Sequence, residues 1–419
     1  MTAARRLLDD CFLHDKDRLR HDEVLALLKE RLSPVANVEK VPLGDASERV
    51  LAEDVTAPRP VPAHTNAAVD GYAVAAASLE SGSENRLPVT MRIAAGDPAA
   101  ERLEKGTAAR LFTGAKLPEG ADTVIMQEDC ETVETDVMIP AGVKRGINVR
   151  SAGEDVGQGG VVAQKGQRVT PQLLAAIASA GYGEVSCFRQ LKVALVSSGD
   201  EVIRPGTPFR DGLVYDSNHF LLDALLQTVP TQVHDLGILP DDAAKVDEVI
   251  GTAAQTHDVI LTTGGASRGE EDHMVELIAS RGSLHAWQLA IKPGRPMAFG
   301  QLGNCVFLGL PGNPVAAFVC FLLYAQPMFA HLQGALWNPP QSFELPAGFS
   351  IQKKKPDRRE FWRGWIEDGS LRKFERDGSG LISGLTTATG LIEIPEEVTH
   401  VDEGDLLKFI PFSSYGIKS

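Results

Sequence analysis

The chain has 419 residues, 43% hydrophobic and 23% charged, and carries a formal net charge of −15. That length exceeds what one hydrophobic core usually serves, so several globular domains are expected. The acidic excess argues against a nucleic-acid surface, which needs local positive charge, yet a small anion can still be held by a few cations and backbone N–H groups.

Further classes are excluded at this level. Cys11, Cys130, Cys187, Cys305 and Cys320 are scattered and odd in number, with no C-x-x-C pair, so neither a disulfide framework nor a zinc site is expected. Residues 1–21 mix Arg5 and Arg6 with Asp9, Asp10, Asp15 and Asp17 and show no apolar core for a secretory signal. The longest apolar run, residues 315–330, reads as a buried helix too short to span a bilayer. A cytoplasmic protein without a membrane partner is the expectation.

In chain order, Val24, Leu25, Leu27, Leu28 and Leu32 form a helical stripe over residues 21–32, stopped by Ser33-Pro34. Pro58, Pro60 and Pro62 mark a linker over residues 54–66. Residues 67–145 then show short β-like runs, such as 89–93 and 123–126, broken by Gly and Pro, which predicts a small β-rich domain. Thr170-Pro171 opens a helix, with Thr170 as N-cap, Pro171 at the first helical position and Gly181 past the end.

From residue 191 the pattern alternates. Residues 192–197, 259–262 and 306–308 are buried strands, and helices follow at 218–228, near Asp272 and from Pro314. That alternation predicts a parallel sheet covered on both faces. After Trp337-Asn338-Pro339-Pro340 the texture is β-like to the end.

Ligands of such a sheet bind beyond the carboxyl ends of its strands. The first strand-end loop is Ser197-Ser198-Gly199-Asp200-Glu201; alone it reads as an ordinary turn followed by solvated acids. The second, Thr262-Thr263-Gly264-Gly265-Ala266-Ser267 through Asp272, opens a helix and suits an anion, or equally a helix start enriched in acids. The third, Leu310-Pro311-Gly312-Asn313-Pro314, suits a capped turn. Lys292-Pro293-Gly294-Arg295-Pro296 sets two cations on a rigid scaffold, as an oxyanion site or a solvated hairpin.

Taken together and in order, these segments carry a resemblance. With Asn66-Ala67-Ala68-Val69-Asp70-Gly71-Tyr72-Ala73, Arg110-Leu111-Phe112-Thr113-Gly114-Ala115, Met126-Gln127-Glu128, Asn148-Val149-Arg150, Gly153-Glu154-Asp155 and Asp216-Ser217-Asn218, the chain closely resembles the molybdopterin molybdotransferase family, the MoeA-type proteins that include the E domain of gephyrin. The resemblance spans residues 21–419.

The resemblance implies a multidomain α/β and β fold: a central MogA-like α/β domain with a parallel sheet, an inserted small β domain and a C-terminal β-barrel. The implied domains are 1–58 with 145–189, a discontinuous helical/β unit; 59–144, inserted and β-rich; 190–335, α/β and molybdopterin-binding; and 336–419, the barrel. It implies a homodimer that takes adenylylated molybdopterin and molybdate and, with Mg²⁺, inserts molybdenum and releases AMP. The implied partners are the molybdopterin adenylyltransferase and apo-molybdoenzymes or their chaperones.

Cleaving a phosphoanhydride calls for a divalent cation held by carboxylates, for which Glu201, Asp272 and one of Asp241 or Asp242 are candidates. Molybdate, a dianion, calls for Lys292, Arg295 and the Gly264, Gly265 and Ser267 loop. Gly199, Asp200, Pro311, Gly312 and Asn313 complete the strand-end set. By resemblance, Asp70 and Thr113 face the site across the dimer and join Glu201 and Asp272 as catalytic candidates. Arg359 and Arg363, in Arg358-Arg359-Glu360-Phe361-Trp362-Arg363-Gly364, and Ser383, in the turn from Gly378, are candidates for substrate phosphate or a solvated basic hairpin.

The chain departs from the family pattern at Ala67, which lacks a hydroxyl; at Gln288, where relatives often have Lys; at Arg295 in place of Lys; and at Thr389 in place of Asn. No proposed metal carboxylate is lost. An adenylyltransferase, an interaction scaffold and a non-catalytic molybdopterin carrier are the competing readings. The extra domains oppose the first, the acidic constellation opposes the second, and binding without turnover would mark the third.

Overall fold

The computed structural model describes residues 18–98, 101–264, 273–376, 378 and 380–418. At its centre is a six-stranded sheet in the order Thr231–Leu239, Leu191–Ser198, Val259–Thr263, Cys305–Leu310, Pro296–Leu302, Ser283–Gln288. The first four strands run parallel and the last two antiparallel. The sheet is therefore mixed, not the purely parallel one expected. A short Gly303-Asn304 turn joins Pro296–Leu302 to Cys305–Leu310 as a hairpin, which leaves no room for a crossover helix.

Alternation along the strands explains the covering of both faces. Val193, Leu195, Val259 and Leu261 face the helices Ser217–Leu226 and Pro314–Leu332. Ala194, Val196 and Ile260 face Ala243–Thr256 and His273–Arg281. The helix Pro314–Leu332 is longer than expected: its 19 residues are long and apolar enough to cross a membrane by length and composition, but 78% of its most apolar window is buried within the protein. It widens to a π-turn over Phe321–Ala325, two residues before Pro327. Proline has no N–H to continue the regular ladder, and the wider turn accommodates the missing bond.

Before this unit, Val38–Pro42, Glu184–Phe188 and Val50–Leu51 form a small sheet beside the Thr170-capped helix Pro171–Ser179. A two-stranded ribbon leads away from it, through Val55–Thr56 with Val161–Ala163, Val61 with Val156, and Asn66–Ala67 with Val149–Arg150. At its far end lies a second six-stranded sheet, between residues 71 and 139. The helix His21–Arg31 takes a different place: Val24 and Leu28 join the core around Pro314–Leu332, not the sheet of Val38–Pro42.

The C-terminal sheet has the order Ile291–Lys292, Arg359–Glu367, Gly390–Ile394, Leu406–Pro411, Phe343–Pro346. Ser370–Lys373 pairs with Arg359–Glu367, and its Leu371 also bridges to Ala347, just past Phe343–Pro346. Ile291–Lys292 is thus a strand of this sheet, lent by the α/β unit, and not a solvated hairpin.

His21 sits where the N-terminal helix, the core helix and the C-terminal sheet meet. It is 7% exposed; its Nδ1 lies 2.9 Å from the Tyr324 hydroxyl and its ring packs edge-on to Phe361. Burial, reinforced by the Arg359 charge, lowers its pKa to about 4. As pH falls below about 6.5 the unfolded chain takes up this proton and the folded chain does not, so stability is lost between pH 6.5 and 4, by up to roughly 3 kcal/mol. Urea unfolding of wild type and His21→Gln at pH 7 and pH 4.5 checks this. The wild type should lose more stability on acidification, and equal losses would contradict the assignment.

Candidate functional site

The carboxyl ends of three neighbouring parallel strands converge. Gly264 follows Thr263 at φ +80°, and a Cβ there would lie 3.5 Å from the Ser198 carbonyl oxygen and from its Oγ. A Cβ on Gly312 would lie 3.7 Å from the Gly264 Cα. Asn218 ties these loops to the helix Ser217–Leu226: its Nδ2 donates to Thr263 Oγ1 and to the Gly312 carbonyl, each at 2.7 Å. Asp216 caps that helix through the His219 N–H, at 3.0 Å. The sequence marked Asp216-Ser217-Asn218 as a motif but did not assign this bracing role.

Four of the expected acidic residues, Asp200, Glu201, Asp241 and Asp242, lie among the described residues. Asp200 and Asp241 face each other, each accepting from the other's backbone N–H at 3.1 and 3.4 Å. Asp242 is the N-cap of Ala243–Thr256, its Oδ1 accepting from Ala244 and Lys245. Glu201 is exposed and folds back over Gly199, where a side chain would collide with it. Asp272, Gly265 and Ser267 lie outside the described residues. Among the described residues, no three His, Cys, Asp or Glu side chains come together as a metal set.

Beside the strand ends a groove of about 720 Å³ opens between the α/β unit and the C-terminal sheet. Gly264, Lys292, Arg295, Pro311, Gly312 and Asn313 line it, together with Arg363. Lys292 is held through the pairing of Ile291–Lys292 with Arg359–Glu360, and its Nζ lies 5.2 Å from the centre of the Trp362 ring. Behind it Gly294, at φ +105°, packs against Cys320 Sγ of the core helix so closely that no side chain fits. Arg363 donates to the carbonyls of Leu381 and Arg376, at 2.8 and 2.9 Å. Sequence reasoning missed Arg18, Lys355 and Arg358, which also line the groove. Each lies in a segment that only the tertiary fold brings there.

Four candidates lie elsewhere. Arg359 is not a groove residue. Its guanidinium binds Asp22 at 2.7 Å, Glu393 at 2.9 Å and Glu396 at 3.0 Å, tying the N-terminal helix to the C-terminal sheet. Four of its five N–H donors are taken by these three carboxylates, which hold it away from the groove. Ser383 begins the short helix Ser383–Thr387, next to Gly384, against which Arg363 packs, but does not line the groove. Asp70 and Thr113 are paired with each other in the 71–139 region: Thr113 donates to Asp70 Oδ1 from both Oγ1 and N, at 2.7 Å. These bonds, the hydroxyl's first, hold the Asp70 carboxyl below its usual range.

Arg359 and Arg363 should separate cleanly. Arg359→Ala strands Glu396 and leaves Glu393 with Lys408 alone, and should cost about 3 kcal/mol of stability with oxyanion affinity retained. Arg363→Ala should spare the fold and weaken binding of a small oxyanion in a calorimetric titration. The reverse pattern would contradict the placement of these two side chains.

Comparison with known proteins agrees over most of the chain. Residues 19–181 match the MoeA N-terminal region (domain I and II), 194–331 a probable molybdopterin binding domain, and 345–412 the MoeA C-terminal region (domain IV). The chain is similar to a molybdopterin molybdenumtransferase of Haemophilus influenzae, 37% identical over 399 residues, covering 94% of this chain and 98% of the relative. It is also similar to molybdopterin molybdenumtransferase 2 of Mycobacterium tuberculosis, 32% identical over 402 residues, covering 93% and 97%. Among solved structures, a molybdopterin biosynthesis moeA protein from Pyrococcus horikoshii OT3 superposes with a TM-score of 0.81 at 29% identity, covering 94% of this chain and all of that one.

Proposed function

This chain belongs to the MoeA-type molybdopterin molybdenumtransferase family, and we propose that the groove between its α/β unit and C-terminal sheet holds the anionic reactants of molybdenum insertion. It is a transferase of molybdenum cofactor biosynthesis. The observation that carries the groove assignment is the meeting of the Gly264 and Gly312 strand ends with Lys292, Arg295 and Arg363 around one cavity, in a chain of net charge −15. A tetrahedral dianion such as molybdate matches a cavity lined by Lys292, Arg295 and Arg363 beside glycine strand ends.

The reaction on this reading takes adenylylated molybdopterin and molybdate, cleaves the phosphoanhydride and releases AMP. Mg²⁺ would neutralise charge on the leaving phosphate. Its ligands would come from Glu201, Asp272 and one of Asp241 or Asp242; the described carboxylates alone do not assemble a set. The chain's own cations bind and orient the anions, and the Asn218 bracing keeps the strand ends in place.

The same reading includes a homodimer, in which a second copy brings Asp70 and Thr113 to the groove. It includes the four-domain division with a C-terminal barrel, supported by the Ala347–Leu371 bridge and the ribbon at 55–67 and 149–163. It also includes a cytoplasmic location, with exchange of substrate and product with the adenylyltransferase and apo-molybdoenzymes.

AMP release from adenylylated molybdopterin, with Mg²⁺ and with or without molybdate, tests the reading. Release should depend on molybdate and fall by about a hundredfold or more in Glu201→Gln and Asp272→Asn, the scale of losing one group that stabilises transition-state charge. No release despite tight pterin binding would point to a carrier, and near-normal turnover in both variants would remove the metal assignment.

A further inference from the structure

Glu360 lies behind the wall of the groove, not on it. It is 2% exposed, yet it is a carboxylate among cations. Its Oε1 accepts from Arg358 Nε at 2.8 Å, and Arg358 Nη2 lies 2.7 Å from the same oxygen as an ion pair. Its Oε2 accepts from the Trp362 indole N–H at 3.0 Å and lies 4.0 Å from Lys292 Nζ. Arg358, Trp362 and Lys292 all line the groove.

We propose that Glu360 is a positioning carboxylate that aims Arg358 and Lys292 into the groove, and that Arg358 is thereby a further oxyanion-binding residue. One edge of the Arg358 guanidinium, Nε and Nη2, is fixed on Glu360. Arg358 lines the groove, and no hydrogen bond from its Nη1 is present among the described residues, so a guanidinium held on Glu360 keeps a donor for a ligand. Arg and Lys side chains each carry up to about 2 kcal/mol of rotamer entropy, which an unbraced pair would lose on gripping an anion. The carboxylate takes that loss on folding, so the cations meet the ligand already ordered. The idea rests on the groove being the oxyanion site.

Simple charge counting predicts the opposite sign. A negative charge beside an anion site repels the ligand, so removing it should tighten binding. Positioning predicts that removing it weakens binding.

Calorimetric titration of the full chain with molybdate decides between them. Glu360→Gln keeps shape and volume and should bind about tenfold more weakly, which is about 1.4 kcal/mol. Arg358→Lys keeps the charge without the fork and should also bind more weakly. The double variant should be little worse than Arg358→Lys alone, because the two residues act as a unit. Asp357→Asn, which removes a neighbouring exposed acid, should bind at least as well as wild type.

Glu360→Gln binding as tightly as wild type or more tightly overturns the proposal. So does unchanged affinity in Arg358→Lys, a test that stands even if Glu360→Gln fails to fold. If wild type does not bind molybdate, or Lys292→Ala leaves binding intact, the groove assignment itself fails and takes the positioning role with it. If Lys292→Ala loses affinity and Glu360→Gln does not, the groove stands and the positioning role falls.

Discussion

Two residues of backbone pairing hold the candidate site together. Ile291 and Lys292 run parallel to Arg359 and Glu360, so a strand from the α/β unit becomes the edge of the C-terminal sheet. The Arg359 N–H donates to the Ala290 carbonyl at 2.8 Å and extends the pairing. The loop closes when the Leu289 N–H donates to the Arg295 carbonyl, also at 2.8 Å, and Gly294 seats against Cys320. This seam joins the two units, forms one wall of the groove and sets Lys292 near Glu360. Without it, the strand-end loops and the basic strand would have no reason to face each other.

Charge is organised around that seam. The chain is acidic overall, but cations concentrate along the groove, and a local field governs a small ligand more than net charge does. The two adjacent arginines divide the work. Arg358 serves the groove side with Glu360, and Arg359 binds Asp22, Glu393 and Glu396 on the other. Every carboxylate in this list that is buried is matched by a guanidinium, which offsets the cost of taking its charge out of water.

Much of this was legible in the sequence, and for local reasons. Thr170-Pro171 carries a cap and a preset φ, and the helix starts there. The apolar runs at 192–197, 259–262 and 306–308 are strands because both faces are covered. Gly264 and Gly312 lie at the carboxyl ends of such strands, where topology puts ligands. What stayed hidden depends on partners far along the chain. Arg358-Arg359-Glu360 does not say which arginine faces the groove, since a shift of one residue in register would exchange their sides. The hairpin of Pro296–Leu302 and Cys305–Leu310 hid because a fully buried strand carries no polar alternation to announce its direction. Arg18 reaches the groove from the opposite end of the chain, with no local signal at all.

The central claim is that this groove is an oxyanion site, and a crystal of the protein soaked in tungstate tests it most directly. Tungstate has molybdate's charge and shape and scatters anomalously. The account predicts an anomalous peak in the groove within hydrogen-bonding reach of Lys292, Arg358 and Arg363. A peak confined to another surface, with the groove filled only by water, would contradict it.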